Sequence, residues 1–430
     1  MIIKEDLQEA KERMAAWWDH ESTDRPVISY NIIEGPGSEK AVIASSALNF
    51  RLCKNWDGIE PILDTFENNS EGLVYGGECI PTYFPNYGPG IMASVLGVIP
   101  EYKSGTMWFH RPTEFKDIIS ILESAKLNNN NEWYMRLKRT TEIAAKRGTK
   151  HNYCVSMTDL GGILDILVSF LGPQTIIIQM RRNPELIDTC RAIIMEKYLK
   201  VYDELQDIIN KHVDGCNTWL NLWCPKRYYT MQCDFSVMLS PKFFERFVLP
   251  DIIEQADHMD YAIWHLDGPE QIKFLDVIFP HVTGIQWVPG LKPGVPQDGD
   301  DHWMPLYKKI QKAGKNIQMM IFDRPLIPHV YKQLDAKGLF VYTVYMSRAQ
   351  ADCYLPAFMG GNGGKMVSDI LTWLKKSGQS SLNKTQLRQY LVTNKIEIHK
   401  DLKNQVFREV RKYLKENSFP KENNAELLKF

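Results

Sequence analysis

Short apolar runs alternating with longer helical stretches from residue 150 onward predict an α/β chain. Two further observations sharpen this to a (β/α)8 TIM barrel with a C-terminal helical extension. The runs number eight once two earlier ones are added, and eight parallel strands of this length close into a barrel. No Gly-rich phosphate fingerprint follows an early strand, which removes the main sign of a doubly wound sheet.

Taken in order, Leu7, Ala10, Met14, Trp17 and Trp18 recur at helical spacing, and Asp24-Arg25-Pro26 ends that helix. Val27-Ile28-Ser29-Tyr30 reads as the first strand, broken by the Gly-Pro-Gly at 35–37, and a second strand is expected near 73–79. Residues 80–112, Tyr83 among them, are dense in Tyr, Phe, Pro and Gly. That density suits either an irregular, aromatic-lined surface near a pocket or a loop capped by ordinary core aromatics. The later runs are 152–157, 216–222, 262–266, 284–288, 317–321 and 339–345. Helices are expected between them at 184–210, 241–259, 270–279, 304–313 and 326–336. The barrel unit is expected to occupy 1–377 and the extension 378–430. From 382 the extension carries eleven Lys/Arg against six Asp/Glu. Its Leu387, Leu391, Ile396, Ile398, Leu402, Val406, Val410 and Leu414 recur at near-helical spacing. This predicts basic amphipathic helices that pack on the barrel or on a partner subunit, and the apolar stripe suits a homodimer.

Composition excludes several classes. A chain of 430 residues with 44% hydrophobic and 24% charged residues is globular rather than disordered. A net charge of −1 lacks the basic excess of a phosphate-binding surface, so no nucleic-acid partner is expected. No run approaches the length of a membrane span, and the charged N-terminal segment lacks the apolar core of a signal peptide. Eight cysteines without close pairing suit a reducing compartment. A soluble cytoplasmic protein is expected.

In a barrel the chemistry sits where strands end at their C-terminal side. The run at 152–157 leads to Ser156 and Asp159, and 216–222 leads to Asn221, Trp223 and Cys224, then Gln232, Cys233 and Asp234. The third pair of run ends brings His265 and Asp267, then Gln286 and Trp287, and the last run brings Tyr345, Met346 and Ser347. His265 and Asp267 are two apart on a strand, so both side chains share a face. An imidazole and a carboxylate so placed can bind a metal jointly, trade a proton, or form a hydrogen-bonded pair that fixes the loop before Gly268-Pro269. Two ligands alone do not make a zinc site. Cys224 and Cys233 read as apolar filler or as ligands, Cys353 as structural, and His110 as a surface histidine. The glycine stretch 360–364 lacks the Lys-Ser/Thr partner of a phosphate loop.

Four phrases carry a resemblance: Asp159-Leu160-Gly161-Gly162, Leu239-Ser240-Pro241 with Phe247 to Pro250, His265-Leu266-Asp267-Gly268-Pro269, and Ile285-Gln286-Trp287-Val288-Pro289-Gly290. Over residues 20–375 the sequence resembles the uroporphyrinogen decarboxylase superfamily. More narrowly, it resembles the decarboxylase-like branch similar to methylcobamide:coenzyme M methyltransferases. The resemblance implies a TIM barrel with a pocket at its C-terminal mouth. The decarboxylases hold an eightfold anion with several arginines, whereas here no basic residue lies between Arg25 and Lys40. The methyltransferases bind zinc through His-x-Cys and a later Cys. Here His265 matches, Asp267 stands at the first cysteine's place, and Tyr345-Met346 fall where the second would be.

The resemblance therefore implies a corrinoid-linked methyltransferase acting on a small methylated substrate, with a corrinoid protein as partner. Zinc would be held by His265, Asp267 and a third group such as Cys233, a harder donor set than the family's, or the site would hold no metal and act as a His/Asp acid–base pair. Asp159 and Asp234 would support it, and Gln286, Trp287, Trp223 and Tyr83 would line the pocket. The alternatives are a carboxy-lyase in which Asp267 or Asp159 stabilises a protonated intermediate, and a corrinoid or tetrapyrrole binder without turnover.

Overall fold

The computed structural model describes residues 2–23, 25–33, 38–44, 58–104, 106–110, 113–290, 293–323, 326–346, 369–374, 382–393, 406–408, 410–412 and 414. The strands are β1 (Val27–Ile33), β2 (Leu73–Gly77), β3 (Thr82–Tyr83), β4 (Pro100–Lys103), β5 (Thr106–Phe109) and β6 (Cys154–Val155). They continue as β7 (Tyr228–Met231), β8 (Tyr261–Asp267), β9 (Gly284–Val288), β10 (Asn316–Met320) and β11 (Leu339–Met346). Seven of them form one sheet in the order β2-β1-β11-β10-β9-β8-β7, all parallel except the β1–β2 pair.

The α/β class stands, but the sheet does not close among the described residues, so the eight-stranded barrel is not seen there. Three of the expected strands account for the difference. The run at 73–79 forms β2, which lies antiparallel on β1. The run at 152–157 forms only the two-residue β6, whose ladder partner is β3. The run at 216–222 forms no strand; its Cys216 makes an isolated bridge to Cys224. Single bonds from Met157 N to Asn217 O (2.8 Å) and between the Thr218 and Thr230 hydroxyls (3.0 Å) cross from β6 toward β7 where a ladder was expected.

Helices follow the strands at Pro184–Asn210, Met304–Lys312 and Leu326–Gln333 as the spacing predicts, whereas the stretch 270–279 is mostly 3-10, with only Leu275–Ile278 α-helical. Pro184–Asn210 is unbroken. The stretch 241–259 divides at Val248 into Pro241–Phe247 and Leu249–Asp257, because Pro250 sits in the first turn of the second helix and cannot donate back into the first. On β8, Ala262, Trp264 and Leu266 are buried on the helix side, with the Trp264 ring 6.1 Å from Phe244 in a T-shaped contact. The N-terminal ends of the strands are plugged by a separate apolar cluster. Trp17 and Trp18 of helix Leu7–Trp18 meet Val27, Tyr228, Ile263 and Phe340 there. Burying each such side chain contributes on the order of 1.5–3 kcal/mol. That plug leaves the C-terminal ends of the strands as the open face.

In the extension, helix Lys384–Thr393 is described. Leu387, Leu391, Val406 and Val410 of the predicted stripe are buried against Ile370 and Leu374, so these stripe residues are covered within the chain. Ile396, Ile398 and Leu402, and the boundary expected at 378, lie outside the described residues. Among the described residues no single helix is long and apolar enough to cross a membrane. One apolar pair, Ile163–Leu171 and Pro173–Arg182, is bent by 105°.

Candidate functional site

Strand alternation on β8 puts His265 and Asp267 on one face, and the turn that follows β7 brings Asp234 to them. One ligand atom from each of Asp234, His265 and Asp267 lies within 4.8 Å of the others. His265 is paired in register with Gln286 of β9, and its Nδ1 is hydrogen-bonded to the Gln286 amide oxygen. The edge of Trp219 stands against the His265 ring at a centroid distance of 6.4 Å.

Asp159 lies behind this group. Its Oδ1 accepts the Gly161 N–H at 2.9 Å and the Gln232 side-chain N–H at 2.8 Å. Burial pushes its carboxyl up to about 7, and the nearby Asp234 adds to the rise while His265 opposes it. Gly161 has φ +87°, and a Cβ there would meet the Gly90 Cα at 2.6 Å. The Asp-Leu-Gly-Gly phrase is thus a close backbone approach that only glycine permits.

Asp165 was not anticipated. It accepts the backbone N–H groups of Asp234 (2.9 Å) and Phe235 (2.8 Å), fixing the turn that carries Asp234. Burial and the Asp234 charge both push the Asp165 carboxyl up. The Asp234 carboxyl reaches solvent at the rim, yet it too is pushed up by the protein around it and by Asp267. The sequence signal for Asp165 is a single charge inside the otherwise apolar helix Ile163–Leu171. Trp219 carries no such signal.

Several expected site residues are placed elsewhere. Cys233 is buried and immediately precedes the 3-10 turn Asp234–Met238. Its sulfur lies 4.0 Å from Asp165 and outside the donor group, burial raises the thiol well above its ordinary value, and Asp234 takes the third position. Trp287 is on the opposite face of β9 from Gln286, fully buried with its ring 4.9 Å from Trp303. Trp223 belongs to the plug at the N-terminal ends, where its carbonyl accepts the Trp18 indole N–H at 2.9 Å. The Cys216–Cys224 bridge folds the chain back to that end. Tyr83 is buried against Phe66, 5.8 Å between rings. Ser156 is buried on Thr218 O, Asn221 donates to the Cys79 sulfur at 3.4 Å, and Cys224 is buried in the plug. His110 is exposed as expected, and Tyr345 and Met346 end β11. Ser347, Cys353 and the glycine stretch 360–364 lie outside the described residues. A cavity of 490 Å³ lined by Trp18, Asp19, His20, Tyr261 and Lys315 lies at the N-terminal ends and holds none of these groups.

One nitrogen and two carboxylates are donors that suit a divalent ion of borderline or hard character. Three protein ligands with an open position are the ligand count of catalytic zinc sites. Among the described residues no lysine or arginine side chain is hydrogen-bonded to Asp159, Asp165, Asp234 or Asp267.

No protein-family model matches this sequence, and no curated protein matches it. Among solved structures, a methyltransferase from Methanosarcina mazei superposes with a TM-score of 0.52 at 10% identity. The alignment covers 82% of this chain and 98% of that one, and it shows a shared fold.

Proposed function

We propose that this chain is a methyltransferase-like enzyme that moves a methyl group between a small methylated substrate and a corrinoid carried by a partner protein. The observation that carries the reading is the convergence of Asp234, His265 and Asp267 at the open ends of the strands. The fold shared with a solved methyltransferase supports it, as does the likeness of the His265–Pro269 phrase to the zinc-binding strand of that branch. Zinc held by these three side chains would act as a Lewis acid that lowers the pKa of a thiol or hydroxyl acceptor. Asp159, poised near neutral pH, can hold or release a proton beside the recess. The Trp219 ring flanks His265 on one side of the site.

Demethylation of methylcobalamin by the purified chain, with small thiols and alcohols as acceptors, tests this reading. Turnover that falls at least 100-fold in His265→Ala is expected, with the magnitude typical of a lost electrophile. Release of CO2 from a carboxylate substrate, with no demethylation, would instead favour a lyase. The specific observation behind that second reading is the raised pKa of the buried Asp159, which keeps a proton available at neutral pH.

A further inference from the structure

We infer that Gln286 is a positioning residue that fixes the tautomer of His265, placing the ring proton on Nδ1 and leaving Nε2 as the lone-pair nitrogen. The inference starts from an atom whose role is certain. The carbonyl oxygen of Trp287 can only accept, and it lies 3.4 Å from the Gln286 side-chain nitrogen. The sulfur of Met320, also an acceptor, is 3.5 Å from the same nitrogen. Turning the amide over would set its oxygen against both acceptors, so the nitrogen stays on that side. The amide oxygen then faces His265 Nδ1, and an oxygen can only accept. Nδ1 must therefore be the donor, and a neutral imidazole keeps its lone pair on Nε2.

Gln286 is fully buried and paired in register with His265 across β8 and β9, which keeps its amide oxygen beside the half-buried imidazole. A metal-binding histidine is oriented in this way when its second nitrogen donates to a fixed oxygen. The expected substrate contact of Gln286 is replaced by this role. The consequence for metal rests on the proposed function; the tautomer itself does not.

The test is the 15N spectrum of the histidine rings of the metal-free full chain, recorded above the ordinary imidazole pKa range. His265→Asn assigns the signal. A proton on Nδ1 in the wild type, retained in Gln286→Glu and lost in Gln286→Leu, is expected. A wild-type ring protonated on Nε2, or an unchanged Nδ1–H in a folded Gln286→Leu, would overturn the inference. If the leucine variant fails to fold, the wild type and Gln286→Glu decide it. Zinc competition is the second readout: Gln286→Leu should bind about 10–100-fold more weakly, with Gln286→Glu restoring most of the loss. An Nδ1–H tautomer in a chain that binds no zinc would uphold the role of Gln286 and count against the proposed function.

Discussion

The Asp165 carboxylate accepts the backbone N–H of Asp234 at 2.9 Å, so a helix residue sets the turn that delivers a second carboxylate to His265. Burial and then the Asp234 charge push the Asp165 carboxyl up, and the two backbone N–H groups it accepts oppose that rise. A divalent cation beside Asp234 and Asp267 would relieve the same repulsion.

Replacing Asp165 separates positioning from ligation. Asp165→Ala leaves two N–H groups without their acceptor and should cost about 1–3 kcal/mol of stability in urea unfolding. Zinc affinity should fall about 10-fold, since the turn and not a ligand is lost. Asp165→Asn keeps one acceptor oxygen and should lie between wild type and alanine.

Stability should fall as pH rises through the weakly acidic range. Buried Asp298 accepts from the Tyr307 hydroxyl and the Met320 N–H, both at 2.6 Å, and burial pushes its carboxyl from the ordinary 3.8 up to about 7. Between those values the folded chain binds more protons than the unfolded one, so raising the pH favours unfolding. Urea midpoints across that window should show a shallower slope in Asp298→Asn, by at most about 1.4 kcal/mol per pH unit. An unchanged slope would remove Asp298 from the explanation.

Trp223 should matter for stability alone. Its ring lies under Lys11 at 5.1 Å within the N-terminal plug. Trp223→Phe should cost about 1 kcal/mol in thermal or urea unfolding, as expected for a weakened cation–π and packing contact. Metal content and turnover should match the wild type; a loss of either in a folded variant would place Trp223 at the site after all.

Much of the sheet and one pair of site residues were legible in the sequence. The runs at 262–266, 284–288, 317–321 and 339–345 became β8 to β11 because each is apolar on the side that helices cover. His265 and Asp267 could be placed together because a strand repeats every second residue. The same rule forbids Gln286 and its neighbour Trp287 from facing one recess, and the structure divides them accordingly. That Asp234 and not Cys233 joins His265 and Asp267 depends on how the turn after β7 is placed, with the Cys233 sulfur on the Asp165 side, which composition does not reveal. Trp223 was misplaced because its position depends on the long-range plug and the Cys216–Cys224 bridge. Barrel closure is not seen among the described residues because strand count says nothing of strand direction or ladder length, and β2 is antiparallel while β3 and β6 are two residues each.

The most direct measurement is the metal content of protein purified without a metal-binding tag, beside His265→Ala, Asp234→Ala and Cys233→Ser. A centre built from Asp234, His265 and Asp267 predicts about one zinc per chain in the wild type and in Cys233→Ser, and its loss in the other two. No metal in the wild type, or metal lost with Cys233 and kept without Asp234, would contradict it.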